Sequence, residues 1–268
     1  MSSAMHKKKI PWIGTGWKMN KLGAEAAGYA ASLAAAPADT FEEAKVFVLP
    51  PFPYIRDVAR ILAGTSVSVG GQNMHWNDAG AWTGEISGPM LRDCGAALVE
   101  IGHSERRMHF NETDEAVALK VAAAIRHGLL ALVCIGDTKE EFAAGGTADA
   151  LERQTRALFS QVPASASANI VIAYEPVWSI GEGGTPAEPR FANQQHAHIK
   201  QVARDICGLD VPVLYGGSVN LDNCRALIAE PEIDGLFIGR AAWQVSGFLD
   251  IIRAVKETVR ERQPEQAL

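Results

Sequence analysis

Apolar, β-branched runs recur along this chain from one end to the other, each closing on Gly, Pro, Asn or another polar residue. They are Trp12–Trp17, Lys45–Leu49, Val67–Asn73, Ala97–Gly102, Leu129–Ile135, Ile170–Glu175, Val213–Gly217 and Gly235–Gly239. Several are apolar at nearly every position, the pattern of strands covered on both faces. Helical patterns lie between them. Val117, Val121, Ala124 and Ile125 form one stripe, with Asp114 as a cap before it and Gly128 as a stop. Phe248, Ile251, Ile252, Val255 and Val259 form another, ahead of a charged tail. The other gaps read as helices over Ala24–Ala36, Pro53–Leu62, Pro89–Cys94, Ala148–Phe159, Pro189–Cys207 and Leu221–Ala229. Eight strands alternating with eight helices predict a closed parallel barrel or a large open, doubly wound sheet.

The placement of unusual polar residues separates the two. An open sheet concentrates its site at one switch point, whereas a barrel collects residues from the C-terminal ends of many strands. Here Lys18, Asn73, His103, Glu175, Ser218 and Arg240 sit just past strand ends all along the chain. The expected fold is an α/β (β/α)8 barrel of eight parallel strands surrounded by helices. Its 268 residues suit such a barrel as one unit, and no linker or composition shift divides it, so 1–268 reads as a single domain.

A formal charge of -6 argues against nucleic acid as the main partner, although a local basic pocket for one small anion is compatible with it. Cys94, Cys134, Cys207 and Cys224 lie far apart with no metal-ligand spacing, and read as reduced thiols. The basic run Lys7-Lys8-Lys9 has no apolar stretch behind it, so no secretory signal is expected. No segment has the apolar length of a bilayer span. The cytoplasm is the expected compartment.

Five segments carry chemistry. Glu175, in Ala173-Tyr174-Glu175-Pro176-Val177-Trp178, ends a buried strand, where an idle charge is expensive. It is either paired with a neighbouring cation or a working base. Pro176, Val177 and Trp178 lead into Ser179, Ile180, Gly181, Glu182, Gly183 and Gly184, then Thr185 and Pro186. That glycine-rich stretch with rigid ends suits a lid, or an ordinary loop. His103 stands where a strand meets a helix starting at Ser104, and the positive end of a helix dipole disfavours imidazolium. It is either a neutral donor able to polarise a carbonyl or a structural histidine. Lys18, in Gly16-Trp17-Lys18-Met19-Asn20, reads as a fixed charge in a barrel mouth or as a surface lysine. Finally, Tyr215-Gly216-Gly217-Ser218-Val219 and Ile238-Gly239-Arg240 follow the last two strands, where barrels commonly hold phosphate on backbone N–H groups.

In order and spacing these segments, with Gly102-His103-Ser104-Glu105-Arg106-Arg107, resemble the triosephosphate isomerase family from Trp12 to about Val255. The resemblance implies isomerisation of a short sugar phosphate through an enediolate, without metal or organic cofactor. It makes Glu175 the base, His103 the neutral electrophile and Lys18 the electrostatic anchor, with Glu105 and Asn20 in support. The pairing of a Glu base with a neutral His is taken over from the family, not read from these residues. Gly181, Ser218, Gly239 and the backbone of Arg240 would grip phosphate, and residues 176–186 would close over it. Thr83-Gly84-Glu85-Ile86-Ser87 matches the loop by which the family dimerises, implying a homodimer with Thr83 near the partner's site. The apolar loop Asn73–Ser87, with Met74, Trp76 and Trp82, is either covered by that partner or packed on its own barrel.

Two positions depart from the family pattern. Gly16 stands where the family has an Asn that donates to the substrate, and Arg240 where it has a second Gly. Inside the lid, Glu182-Gly183-Gly184 replaces the usual Thr-Gly-Lys. Lys18, His103 and Glu175 are retained while their surroundings change. Gly239-Arg240 and the lid look like the branch acting on four-carbon erythrulose phosphates. That substrate is therefore expected ahead of the triose phosphates, and both ahead of a non-catalytic sugar-phosphate-binding barrel.

Overall fold

Each apolar run forms a strand: β1 (Trp12–Gly16), β2 (Lys45–Leu49), β3 (Ser68–Gly71), β4 (Leu98–Ile101), β5 (Leu130–Ile135), β6 (Ile170–Tyr174), β7 (Val213–Tyr215) and β8 (Gly235–Ile238). The computed structural model describes residues 10–181 and 184–262. All neighbours pair in parallel, and β8 closes on β1 from Trp12↔Gly235 to Thr15↔Ile238. That pairing of first and last strands decides for the barrel over the open sheet. Several strands stop a residue or two before the apolar runs do, where the backbone turns out of the barrel to carry Trp17, Asn73, Gly102 and Glu175.

Ten α-helices surround the barrel among the described residues, two more than the eight expected. They are α1 (Gly23–Ala34), α2 (Ile55–Ile61), α3 (Gly88–Asp93), α4 (Ser104–Phe110), α5 (Asp114–Arg126), α6 (Lys139–Ala143), α7 (Thr147–Phe159), α8 (Pro189–Cys207), α9 (Cys224–Ile228) and α10 (Val245–Glu261). The additional pair, α4 and α6, are short helices just past strand ends, on the side where the polar residues gather. Helix α6 has only five residues, too few for an apolar stripe. What starts it is a capping box in which Thr138 and Glu141 satisfy each other's backbone N–H groups.

Alternation along the strands sorts side chains into two apolar layers. Ile13, Val46, Val48, Val99, Ile101, Val133 and Ile172 pack outward against the helices. Phe47, Leu49, Leu98, Leu132, Cys134, Val171, Ala173, Leu214 and Phe237 fill the barrel. Strand β1 places only glycine inward near its end. A Cβ on Gly14 would lie 1.9 Å from the Phe47 ring, which therefore occupies that space and stacks on Phe237 at 5.8 Å between centroids. Truncating Phe47 to Ala would cost about 3–5 kcal/mol. These two rings form the floor on which the site stands.

Candidate active site

Lys18 follows β1 with a left-handed φ of 53°, a conformation that costs a non-glycine residue on the order of 1–3 kcal/mol and persists only where its surroundings enforce it. They do here. Gln72 Nε2 donates to the carbonyls of Lys18 (3.0 Å) and Leu49 (2.8 Å), and Asn20 Nδ2 donates to Trp17 O at 2.9 Å. Lys18 Nζ in turn donates to Glu105 Oε1 at 2.7 Å. Burial alone would raise the Glu105 carboxyl, but Lys18, aided by His103 and His109, outweighs it and holds the group below the ordinary range.

His103 caps α4. Its Nδ1 accepts the Glu105 backbone N–H at 3.1 Å, so that nitrogen presents a lone pair and Nε2 carries the proton. Nε2 lies 3.4 Å from Glu175 Oε1, and Glu175 Oε2 accepts the Ser104 N–H at 3.2 Å. Glu175 is only 2% exposed. The turn ahead of His103 is braced by buried Glu112, which accepts from Gly102 N–H at 3.0 Å, Arg106 Nε at 2.8 Å and Lys120 Nζ at 2.6 Å. Lys120 also donates to Asn73 Oδ1 at 2.8 Å, joining the ends of β3 and β4.

Lys18, His103 and Glu175 line one cavity of about 350 Å³ with Gly16, Gly216, Gly217, Ser218, Gly239 and Arg240. At one end are the carboxylate, imidazole and ammonium groups. At the other are the loops after β7 and β8 with Gly181, whose small residues let an anion approach the backbone. A Cβ on Gly239 would meet nothing within 4 Å. Such a cavity can hold a short chain with a phosphate at one end and set a base and a proton donor at the other.

Over residues 11–255 the sequence matches triosephosphate isomerase. The chain belongs to the triosephosphate isomerase family. It is 56% identical over 242 residues to the L-erythrulose-1-phosphate isomerase of Brucella abortus biovar 1, covering 90% of this chain and 94% of that one. To the protein of that name from Rhizobium etli it is 53% identical over 258 residues, covering 96% and 97%. To that of Rhizobium meliloti it is 53% identical over 249 residues, covering 92% and 98%.

The segment expected to form a lid is tied down at both stems. Trp178 Nε1 donates to Asp137 Oδ2 at 3.1 Å and its ring stacks on Phe142 at 4.2 Å. Ser179 Oγ lies 3.3 Å from Tyr215 Oη, which also accepts the Ala187 N–H at 3.3 Å. Ser218 Oγ donates to Ser179 O at 2.5 Å, and Ser218 N–H to Ser179 Oγ at 3.1 Å. Thus the loop after β7 faces the cavity and clasps the lid with the same residues. Ile180 and Gly181 line the cavity, while Pro176, Val177, Trp178 and Ser179 form the stem behind it and Thr185 and Pro186 are exposed. Glu182 and Gly183 lie outside the described residues.

Asn20 and Glu105 do not line the cavity, since both spend their polar groups holding Lys18. Asn20, expected at the substrate, stands here as a brace for the strained turn. Thr83 is exposed at the tip of the loop after β3, beside Trp82, which is 48% exposed. Met74, expected to contribute to an apolar surface there, is instead buried under its own barrel. One charged cavity residue was missed from sequence: Glu100, the single charge in the strand Leu98-Val99-Glu100-Ile101. Leu98 faces the barrel interior, so period-two alternation turns Glu100 inward too, and a carboxylate in a run of apolar residues was the available signal.

Proposed function

We propose that this protein isomerises a four-carbon ketose phosphate, L-erythrulose 1-phosphate or a close relative, by proton transfer through an enediolate. The observation that carries the reading is the chain-long identity to isomerases named for that substrate. The triose phosphates are the second reading, supported by the family match and the retained Lys18, His103 and Glu175.

In L-erythrulose 1-phosphate the carbonyl is C2, and of its two neighbours only C3 carries a free hydroxyl. An enediolate can therefore form only across C2 and C3. Glu175 takes the C3 proton, His103 Nε2–H donates to the C2 oxygen, and Lys18 offsets the charge that develops. Return of the proton to C2 leaves the carbonyl on C3, so the product is again a ketose, with phosphate on the carbon farther from the carbonyl. No atom is gained or lost. Gly181, Gly239 and the Arg240 backbone hold the phosphate, Ser218 joins them when its N–H exchanges Ser179 for the anion, and the lid keeps water and free rotation from expelling it.

The protein works as a homodimer in this reading, with Trp82 and Thr83 on the partner. Sedimentation as a monomer at micromolar concentration would remove that part. No described helix is long and apolar enough to cross a membrane, and the four cysteines are unpaired, which supports a cytoplasmic setting. The deciding experiment compares kcat/KM for L-erythrulose 1-phosphate, dihydroxyacetone phosphate and glyceraldehyde 3-phosphate on purified protein. A clear preference for the tetrulose supports the proposal, and a preference for the trioses replaces it with the second reading.

A further inference from the structure

Glu100 is 5% exposed, lines the cavity and takes no part in the proton transfer just described. Its Oε1 receives a weak contact from Cys134 Sγ at 3.7 Å. Its Oε2 has no hydrogen-bond partner among the described residues. That oxygen lies 3.7 Å from the point where a Cβ on Gly16 would stand, and the Phe237 ring lies 3.3 Å from the same point. A carboxyl oxygen of Glu100, the Cys134 sulfur and a carboxyl oxygen of Glu175 all fall within 4.8 Å of one another. A free carboxyl oxygen on a buried side chain thus faces the space beside Gly16, close to the Glu175 carboxylate. A buried carboxyl left idle is costly, and the space beside it is bounded by Gly16 and an aromatic ring that offers no hydrogen bond.

We propose that Glu100 determines substrate length, its free carboxyl oxygen receiving the hydroxyl on the terminal carbon of a tetrulose phosphate. The inference rests on the functional reading above and names the residue that would make it so. With phosphate held by the loops after β7 and β8 and the reacting pair under His103 and Glu175, the extra carbon extends to the far side of the pair, toward Gly16. A hydroxyl there can donate to a carboxylate or accept from a carboxylic acid, so either form of Glu100 serves. Burial, reinforced by Glu175 and Glu105 and opposed by His103 and Lys18, pushes the Glu100 carboxyl up to about 7, so both forms occur near neutrality.

The test compares wild type, Glu100→Val, Glu100→Gln and Gly16→Ala on L-erythrulose 1-phosphate and dihydroxyacetone phosphate, with thermal melts to verify folding. Glu100→Val is expected to lower kcat/KM for the tetrulose at least about 100-fold more than for the triose. Glu100→Gln keeps both hydrogen-bonding functions and is expected to hold the wild-type ratio within about 5-fold. Gly16→Ala, which fills the hydroxymethyl space, is expected to shift the ratio toward the triose by about 10-fold or more. If Glu100→Val fails to fold, Glu100→Gln and Gly16→Ala carry the test. Equal losses on both substrates, or no loss on either, would overturn the assignment while the tetrulose reading stands. A wild type that turns over the triose but no tetrulose removes the functional reading itself, and the hydroxyl partner with it.

Discussion

Glu175 and His103 meet Oε1 to Nε2 at 3.4 Å, while the other Glu175 oxygen rests on the Ser104 N–H, the residue next to His103 in the chain. The proposed base and proton donor are therefore indexed to one strand-to-helix junction, and a shift of that junction moves both together.

Glu175→Gln keeps the volume and the contact with Ser104 but removes the base. We expect kcat to fall by on the order of 1,000-fold while affinity for inorganic phosphate changes less than about 3-fold. Steady-state kinetics and calorimetric titration with phosphate check this. A parallel loss of phosphate binding would mean that Glu175 shapes the cavity instead of acting in it.

Tyr215→Phe removes the hydroxyl that joins Ser179 and Ala187, one in each stem of the lid. The apolar packing of Tyr215 survives, so stability should change little. Loss of lid registration should lower kcat on the order of 100-fold. It should also release free phosphate during turnover, because the enediolate is then less well enclosed. A phosphate-release assay run beside the isomerase assay reads both effects.

Glu100 links stability to pH in the sense opposite to most carboxylates. In the folded chain it keeps its proton up to about pH 7, against an ordinary value of 4.5 when unfolded. The stability it contributes is complete below the unfolded value and is lost as pH rises through about 7. Glu100→Gln cannot ionise. Relative to wild type, it should gain about 3 kcal/mol between roughly pH 4.5 and 8, measurable by urea unfolding at each pH.

Lys120→Met leaves Glu112 buried with Arg106 as its remaining cation. Burial pulls Lys120 down even in the presence of Glu112, and would raise Glu112 were Lys120 and Arg106 not holding it low. The glutamate is thus the partner with most to lose. We expect a loss of about 3 kcal/mol in denaturant unfolding, with a fall in kcat because Glu112 also holds the Gly102 N–H beside His103.

The barrel and the Lys18, His103 and Glu175 groups that line its cavity were legible in the sequence for a physical reason. Strands buried on both faces must be apolar throughout, so a Lys, His or Glu at their ends stands out against the run. The same contrast concealed Glu100, which lies inside a run and was absorbed into it. Short helices escaped likewise: α6 is held by reciprocal caps and has no apolar period to detect. Asn20 entered the expected site through the resemblance alone. Only the left-handed backbone at Lys18 shows that the Asn20 amide is needed to hold the turn.

The glycines of β1 have a further consequence. Phe47 occupies the room above Gly14, and Phe237, stacked on it, sets the depth at which the cavity ends beside Gly16. The reach of the pocket is therefore decided by a few inward positions on β1, β2, β4 and β8, while the proton-moving groups hang from the strand ends and the loops after them. If the proposed roles hold, substrate length and proton transfer are set by different parts of the barrel, so that one can be altered by substitution while the other is kept.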